Sequence, residues 1–341
     1  MPSFTLVSTV FNESQRLAQS IEDLENQSVA PAEIVITDAG SKDGTYEQLL
    51  EWASRSKSTV KILQKVGCNV AEGRNLAIQE ATQDIIVSTD FGCRFDAEWL
   101  ASLTTPFHDP EVQVVGGNYT VLEKDQKTLA AKAAYVLSGG YQYHLDDTFI
   151  PSSRSIAYRK DVWRRIGGYP EWLTLAADDL VFGKLIRQEG ISIYLVQEAH
   201  VYWGRHTTLP AYGKEAFRYG LGDGEARVNQ RSFVSNSVET LLRYGLLLAA
   251  LDAGRSLVMN QTLKRRHAAI IPLLSGLRSY RYAYKNWSRF RKQGYSAEVL
   301  ATMLRMIETT RYNYIKGYLR GYLGSSALQK EEARKLQKRL S

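Results

Sequence analysis

The sequence predicts an α/β fold: a doubly wound, mostly parallel sheet with flanking helices, followed by a helical and basic C-terminal region. Two observations carry this expectation. In the first 90 residues, short apolar runs rich in β-branched residues alternate with segments whose apolar residues recur at helical spacing, the pattern of successive βα units. Charge is divided unevenly: residues 255–341 hold 19 Lys and Arg against 4 Asp and Glu, a balance of +15, whereas residues 1–254 carry −8. An acidic front and a basic back imply two parts with different surroundings. The expected division is 1–232 for the α/β domain and 233–341 for the helical region.

The elements follow in order. "FTLVSTV" (4–10) reads as a buried strand, and "NESQRLAQSIEDLENQ" after it places Leu17, Ile21 and Leu24 on one helical face behind Asn12 as a cap. "EIVITD" (33–38) is the second strand, with a helix from about Thr45 to Ser56. "TVKILQ" is the third, a helix covers "NLAIQEA", and the apolar run Ile85–Thr89 is the fourth strand, ending at Asp90. Further on, "AADDLVFGKLIRQEG" opens a helix on two acids, with Phe182, Leu185 and Ile186 forming its buried face. In "FRYGLGDGEAR" the glycines at 220, 222 and 224 predict a break in any helix, as a flap or a hinge.

Composition and motifs remove several function classes. No apolar run reaches the roughly 18 residues of a membrane-spanning helix. "MPSFTLVSTVFNE" has no basic n-region, so no signal peptide is expected. Cys68 and Cys93 are too few for a disulfide framework and lack zinc-ligand spacing, which fits a reducing, cytoplasmic setting. The chain has no GxGxxG after its first strand, no GxxxxGK[ST] and no GxSxG, which argues against dinucleotide-binding enzymes, P-loop ATPases and hydrolase elbows.

What remains is a set of polar residues at strand tips, where open α/β sheets bind ligands. Thr9 and Glu13, with Phe11 between them, stand at the end of the first strand, Asp38 ends the second, Asp90 ends the fourth, and Arg74 stands nearby. Such a set suits a nucleotide base, a ribose and a diphosphate. Each has a plainer alternative: Asp38 opens a turn in "DAGSKDGT", Glu13 is a first-turn acid, and one of Asp178 and Asp179 caps a helix.

In order, "VSTVFNES", "EIVITDAGSKDGT", "GRNLAI", "IIVSTDFGCRFDAEWL" and "YRKDVWRRIGGYPEWLTLAADDLVFGKLIRQEG" resemble the successive motifs of family 2 inverting glycosyltransferases of the GT-A fold, over roughly residues 4–230. The resemblance implies transfer of a sugar from a nucleotide-diphosphate-sugar donor to a hydroxyl of a glycan or lipid-linked glycan. It makes Asp179 the catalytic base, Asp38 the reader of the nucleotide base, Asp90 the contact to ribose and diphosphate, and Arg74 a donor-site residue. Thr9, Phe11 and Glu13 at the first strand tip are expected on the same donor side, and the Arg205 guanidinium suits the leaving diphosphate. Ser155, Trp172 and Asp178 fall on the acceptor side. In the family pattern the fourth strand carries Asp-x-Asp, whose second carboxylate binds Mg²⁺ or Mn²⁺; here that place is Gly92. A metal would therefore need other ligands beside Asp90, and His206 resembles a late histidine that serves this role. Two rival readings are a non-catalytic sugar-nucleotide-binding relative, raised by Gly92, and a sugar nucleotidyltransferase, which normally carries a Gly-rich phosphate loop that "VSTVFNESQR" lacks.

Residues 234–341 interleave basic and aromatic side chains, as in "RSYRYAYKNWSRFRKQGY" and "RYNYIKGYLRGYL". This suits an anionic membrane surface, so the expectation is a peripheral protein on the cytoplasmic face of a membrane. Nucleic acid, the rival partner for such a surface, is disfavoured by the acidic front domain.

Overall fold

The computed structural model describes residues 2–258, 278 and 280–341. The chain forms two compact units: Met1–Asp125, Tyr141–Arg205 and Ser326–Ser341 make one, and Gln126–Gly140 with His206–Ser325 make the other. A single boundary at residue 232 does not describe this division. The helix over 209–226 belongs with the later helices because its glycines pack against them, and the last helix returns to the sheet unit.

The first unit is a sheet covered by helices. Its elements are β1 (Phe4–Val10), α1 (Ser14–Glu25), β2 (Glu33–Asp38), α2 (Thr45–Arg55), β3 (Thr59–Gln64), α3 (Val70–Glu80), β4 (Ile85–Ser88), β5 (Arg94–Phe95), α4 (Trp99–Thr104) and β6 (Val114–Thr120). Then come β7 (Ile156–Arg159), α6 (Lys160–Ile166), α7 (Asp178–Gln188), β8 (Ile193–Tyr202) and, at the end of the chain, α13 (Ala327–Leu340). The strand order is β3-β2-β1-β4-β7-β6-β8-β5. β3, β2, β1 and β4 run parallel, as the βα alternation predicts. Beyond β4 the sheet is mixed: β7 is antiparallel to both β4 and β6, while β6 pairs parallel with β8. β1, β2 and β4 are buried along almost their whole length because helices lie on the sheet faces. Phe4, Leu6, Ile36, Val87, Trp52 and Trp99 anchor the core.

The order reverses between β1 and β4, since β2 and β3 build outward on one side of β1 and β4 adds on the other. A crevice at the carboxyl ends of the strands opens at such a switch point. Because β7 is antiparallel to β4, with Ser88 opposite Ile156, the residues just before β7 arrive at the same crevice.

α3 begins at Val70, earlier than "NLAIQEA" predicts. Asn69 accepts from the Glu72 amide and Glu72 reaches back to the Asn69 amide, a capping box worth about 1 kcal/mol. Arg74 therefore lies inside the helix.

The second unit is helical: α5 (Leu129–Leu137), α8 (Leu209–Ala226), α9 (Gln230–Val258), α10 (Arg281–Lys285), α11 (Trp287–Lys292) and α12 (Ala297–Gly324). The expected break at Gly220, Gly222 and Gly224 does not occur; α8 runs through all three. A Cβ at Gly220 would lie 2.1 Å from the Tyr314 carbonyl oxygen, and one at Gly224 2.2 Å from that of Tyr318. Gly317 and Gly321 of α12 meet the Phe217 and Leu221 carbonyls in the same way. Two Gly-xxx-Gly faces thus bring the backbones of α8 and α12 into contact, and this packing outweighs a propensity cost of about 1 kcal/mol per glycine. No helix among the described residues is long and apolar enough to cross a membrane.

Candidate active site

At the β1 and β2 tips, the loops are tied together through Asp43. Its carboxylate accepts from the Thr45 hydroxyl at 2.6 Å and the Ser14 hydroxyl at 2.8 Å, and from both backbone amides. The Thr45 hydroxyl bond leads in holding this carboxyl down at about 2. The Thr45 oxygen also accepts from the Glu13 amide at 2.8 Å, which fixes the start of α1. Asp38 is fully buried, and one of its oxygens accepts from the amides of Gly40 and Ser41 at 2.9 and 3.0 Å and from Gln64 at 3.3 Å. Its carboxylate thus closes the turn after β2.

Arg74 is the hub of the crevice. Gly73 lets α3 approach β1 closely, since a Cβ there would come within 2.5 Å of Thr9. From this position the Arg74 guanidinium, almost fully buried, donates to Asp178 Oδ2 at 2.7 Å and to Asp90 Oδ1 at 2.9 Å. It lies 4.9 Å from the Tyr169 ring centroid, and Tyr169 stacks on Phe182 of α7 at 4.0 Å. Asn75, one residue on, clamps Tyr169 by both backbone groups. Burial pushes the Asp178 carboxyl up, Arg74 opposes this, and Asp179 and Asp90 add to it.

Neither acid is the cap of α7. Ala177 holds that place in the left-handed region at φ 72, with no side-chain cap, a conformation that costs a non-glycine residue roughly 1–2 kcal/mol. The turn sends Asp178 inward to Arg74 and Asp179 toward Ser152. Ser152 Oγ donates to Asp179 Oδ2 at 3.0 Å, and the Leu180 amide donates to Oδ1 at 2.8 Å. Arg154 Nη1 donates to Ser152 Oγ at 2.9 Å, while its Nε faces Asp90 Oδ2 at 3.6 Å. The Arg154 carbonyl accepts from Thr89 at the β4 tip, which pins this segment to the strand end. A chain of polar contacts therefore runs from Asp90 through Arg154 and Ser152 to Asp179.

Two guanidiniums meet Trp203: Arg154 at 4.2 Å and Arg205 at 3.8 Å from the ring centroid. Arg205 also donates to the Tyr141 hydroxyl at 2.9 Å. Ser152, Arg154, Tyr169 and Trp203 escape the sequence reading. The polar run "PSSRS" before β7 was the available signal, but only the antiparallel β4–β7 pairing brings it to the crevice.

Gly92 has φ +88, and a Cβ built on it would sit 2.8 Å from Glu13 Oε2. Glu13's carboxylate thus fills the space into which a second Asp would project. Burial raises the Glu13 carboxyl, Arg16 opposes the rise, and Asp90 and Asp43 add to it. The donor set does not fit a carboxylate-held divalent cation, because both oxygens of Asp90 face guanidiniums and Gly92 supplies no ligand. Among the described residues no group of three or more His, Cys, Asp and Glu gathers for a metal. His206 falls in the other unit from Asp90; it faces Glu215 at 3.8 Å and packs edge-on against Tyr212.

The remaining candidates divide between surface and interior. Phe11 is 56% exposed beyond the β1 tip, and Thr9 donates to the Val70 carbonyl. Ser155 is fully buried, accepting from Trp99 Nε1 at 3.0 Å and donating to the Ala199 carbonyl at 3.2 Å, so it packs the core where an acceptor-side position was expected. Trp172 is half-buried, and its carbonyl accepts from Gln329 of α13.

Residues 5–167 match the model of Glycosyl transferase family 2. Among curated proteins, glycosyltransferase AglE of Haloferax volcanii is 22% identical over 227 residues, covering 65% of this chain and 73% of that protein. The O-antigen chain rhamnosyltransferase RfbN of Salmonella typhimurium is 26% identical, over 63% of this chain and 69% of that one. Among solved structures, the mannosyltransferase PcManGT from Pyrobaculum calidifontis, in complex with GDP-Man and Mn²⁺, shares the fold with a TM-score of 0.56 at 16% identity, over 95% of this chain and 88% of that one. Matched motifs, curated relatives and sheet topology agree: the chain is similar to the family 2 glycosyltransferases, with the family match over residues 5–167, and has the GT-A fold.

Proposed function

We propose that the protein moves a sugar from a nucleotide-diphosphate-sugar donor to a hydroxyl of a glycan or lipid-linked glycan, with inversion at the anomeric carbon. The observation that carries this reading is the contact chain Asp90–Arg154–Ser152–Asp179, which couples a strand-tip donor site to a carboxylate at the start of α7.

Inverting transfer needs a base that takes the acceptor proton as the hydroxyl oxygen attacks the face opposite the departing diphosphate. Asp179 is the base: Ser152 and the Leu180 amide orient its carboxylate. Asp178, turned inward and paired with Arg74, holds the end of α7 in place. Negative charge developing on the leaving diphosphate needs preorganised donors. Arg154 and Arg205, both seated on Trp203, supply guanidiniums that match phosphate oxygens. Asp90, at the β4 tip, lies where the ribose and diphosphate meet, and Thr9, Phe11 and Glu13 complete the nucleotide side. The Pyrobaculum enzyme was captured with Mn²⁺; the donor set here leads us to assign charge neutralisation to arginines.

The test is a donor panel of UDP-, GDP- and dTDP-sugars with release of nucleoside diphosphate as readout, with Mn²⁺ and with EDTA. Release that requires an acceptor, persists in EDTA and gives product of inverted anomeric configuration by NMR is expected. Nucleotide binding without turnover on any donor would favour the non-catalytic reading, and retention of configuration would overturn the role of Asp179.

A further inference from the structure

We propose that the outward face of α12 is a docking surface for anionic lipid bilayers. The close contact of Gly317 and Gly321 with α8 fixes which side of α12 faces inward. On the other side, Leu304, Tyr312, Leu319, Tyr322 and Leu323 are each at least 40% exposed. Their spacing puts all five along one stripe of a 28-residue helix. Exposed apolar side chains scattered singly need no explanation, but five leucines and tyrosines on one side of one helix, interrupted there by Glu308, do.

The charges beside the stripe indicate what covers it. Arg305, Lys316 and Arg320 are exposed along its edge. The acids of α12 are Glu298, in its first turn, and Glu308, whose carboxylate accepts from Arg243 at 3.1 Å and Tyr280 at 2.8 Å. The face is thus apolar at its centre and cationic at its margin, matching acyl chains beneath anionic headgroups. Tyrosine suits that boundary, with an apolar ring and a hydroxyl that stays wet. In the same unit, α9 exposes Val234, Val238 and Leu241 at helical spacing, following the exposed Arg231. A second copy of the chain is a poorer occupant, since pairing this face with itself would bring its cations together. Duplex nucleic acid would engage the cations and leave the leucines in water.

The inference stands apart from the catalytic reading, because vesicle binding is measured without turnover. Full-length protein is floated with phosphatidylglycerol-containing and pure phosphatidylcholine vesicles at low and high salt. Retention on the anionic vesicles at low salt, loss at high salt and weak retention on the neutral vesicles are expected. Neutralising one cation, as in Arg305→Gln, should lower the partition coefficient about fivefold, and neutralising all three about a hundredfold. Leu319→Asp with Leu323→Asp should abolish binding with an unchanged circular dichroism spectrum; if that pair misfolds, Leu323→Asp alone carries the test. Wild-type retention by the leucine variants overturns the proposal. So does binding to duplex DNA that depends on the cations but not the leucines, or a dimer in sedimentation that Leu323→Asp dissolves.

Discussion

Ser152 Oγ donates its one proton to Asp179 Oδ2 because Arg154 occupies the oxygen from the other side, donating to it at 2.9 Å. The hydroxyl can therefore orient the Asp179 carboxylate in only one sense, as an acceptor, while the Leu180 amide holds the second oxygen. Replacing Asp179 with Asn keeps size and shape but removes the group that takes a proton. Transfer should fall by about 10²-fold or more, with nucleoside diphosphate affinity changed little. Initial rates and a calorimetric titration check the two halves. Normal turnover would exclude Asp179 as the base.

Arg74 lies between two carboxylates in a nearly closed position. Removing one partner of a buried ion pair leaves an uncompensated charge, at a cost of about 3–5 kcal/mol. Arg74→Met should lower unfolding stability by that order in urea, chiefly because Asp178 would be left buried beside Asp179 without its cation. Adding Asp178→Asn should restore part of the loss. If the single variant unfolds at the wild-type midpoint, Arg74 is not the hub described.

Much of the first half of the fold is legible in sequence because β1, β2 and β3 are each followed directly by a helix, so pattern and topology coincide. Asp90 and Asp178 could be singled out because strand tips and helix starts are local features, and Arg74 because it falls in the "GRNLAI" motif. Arg154 could not: its importance depends on β7 entering the sheet antiparallel beside β4, a pairing across 65 residues or more of chain. The glycines of α8 misled for the same reason. Locally they signal a broken helix, and only α12, about 100 residues later, gives them a packing role. The sequence makes one of Asp178 and Asp179 a cap, but the left-handed Ala177 takes that place and sends the two acids in different directions.

Asp43 makes an acid-sensitive link between the β1 and β2 loops. Its carboxyl is held at about 2, below the unfolded value near 3.8. A depressed carboxyl contributes stability that is present above the unfolded value and lost as pH falls through the folded one. Asp43→Asn should therefore be less stable than wild type at neutral pH, and the gap should narrow between about pH 4 and pH 2. Urea midpoints across that range measure it. A gap that is constant with pH would mean that Asp43 acts by shape and not by charge.

Gly92→Asp restores the Asp-x-Asp spacing, yet the backbone argues that it will not restore a metal site. At φ +88 an aspartate is strained by roughly 1–2 kcal/mol, and its Cβ would arrive 2.8 Å from Glu13 Oε2. The new carboxylate would also meet one already raised by burial, with Asp90 adding to that rise. The variant should lose about 1–3 kcal/mol of stability, and its affinity for UDP or GDP should be the same in Mn²⁺ and in EDTA. Pairing it with Glu13→Ala removes the steric contact and should return part of the stability, leaving the φ strain. The decisive measurement is the nucleotide titration in both buffers. Tight, Mn²⁺-dependent binding by Gly92→Asp at wild-type stability would show that the loop accepts a second carboxylate, and the assignment of charge neutralisation to Arg154 and Arg205 would then fail with it.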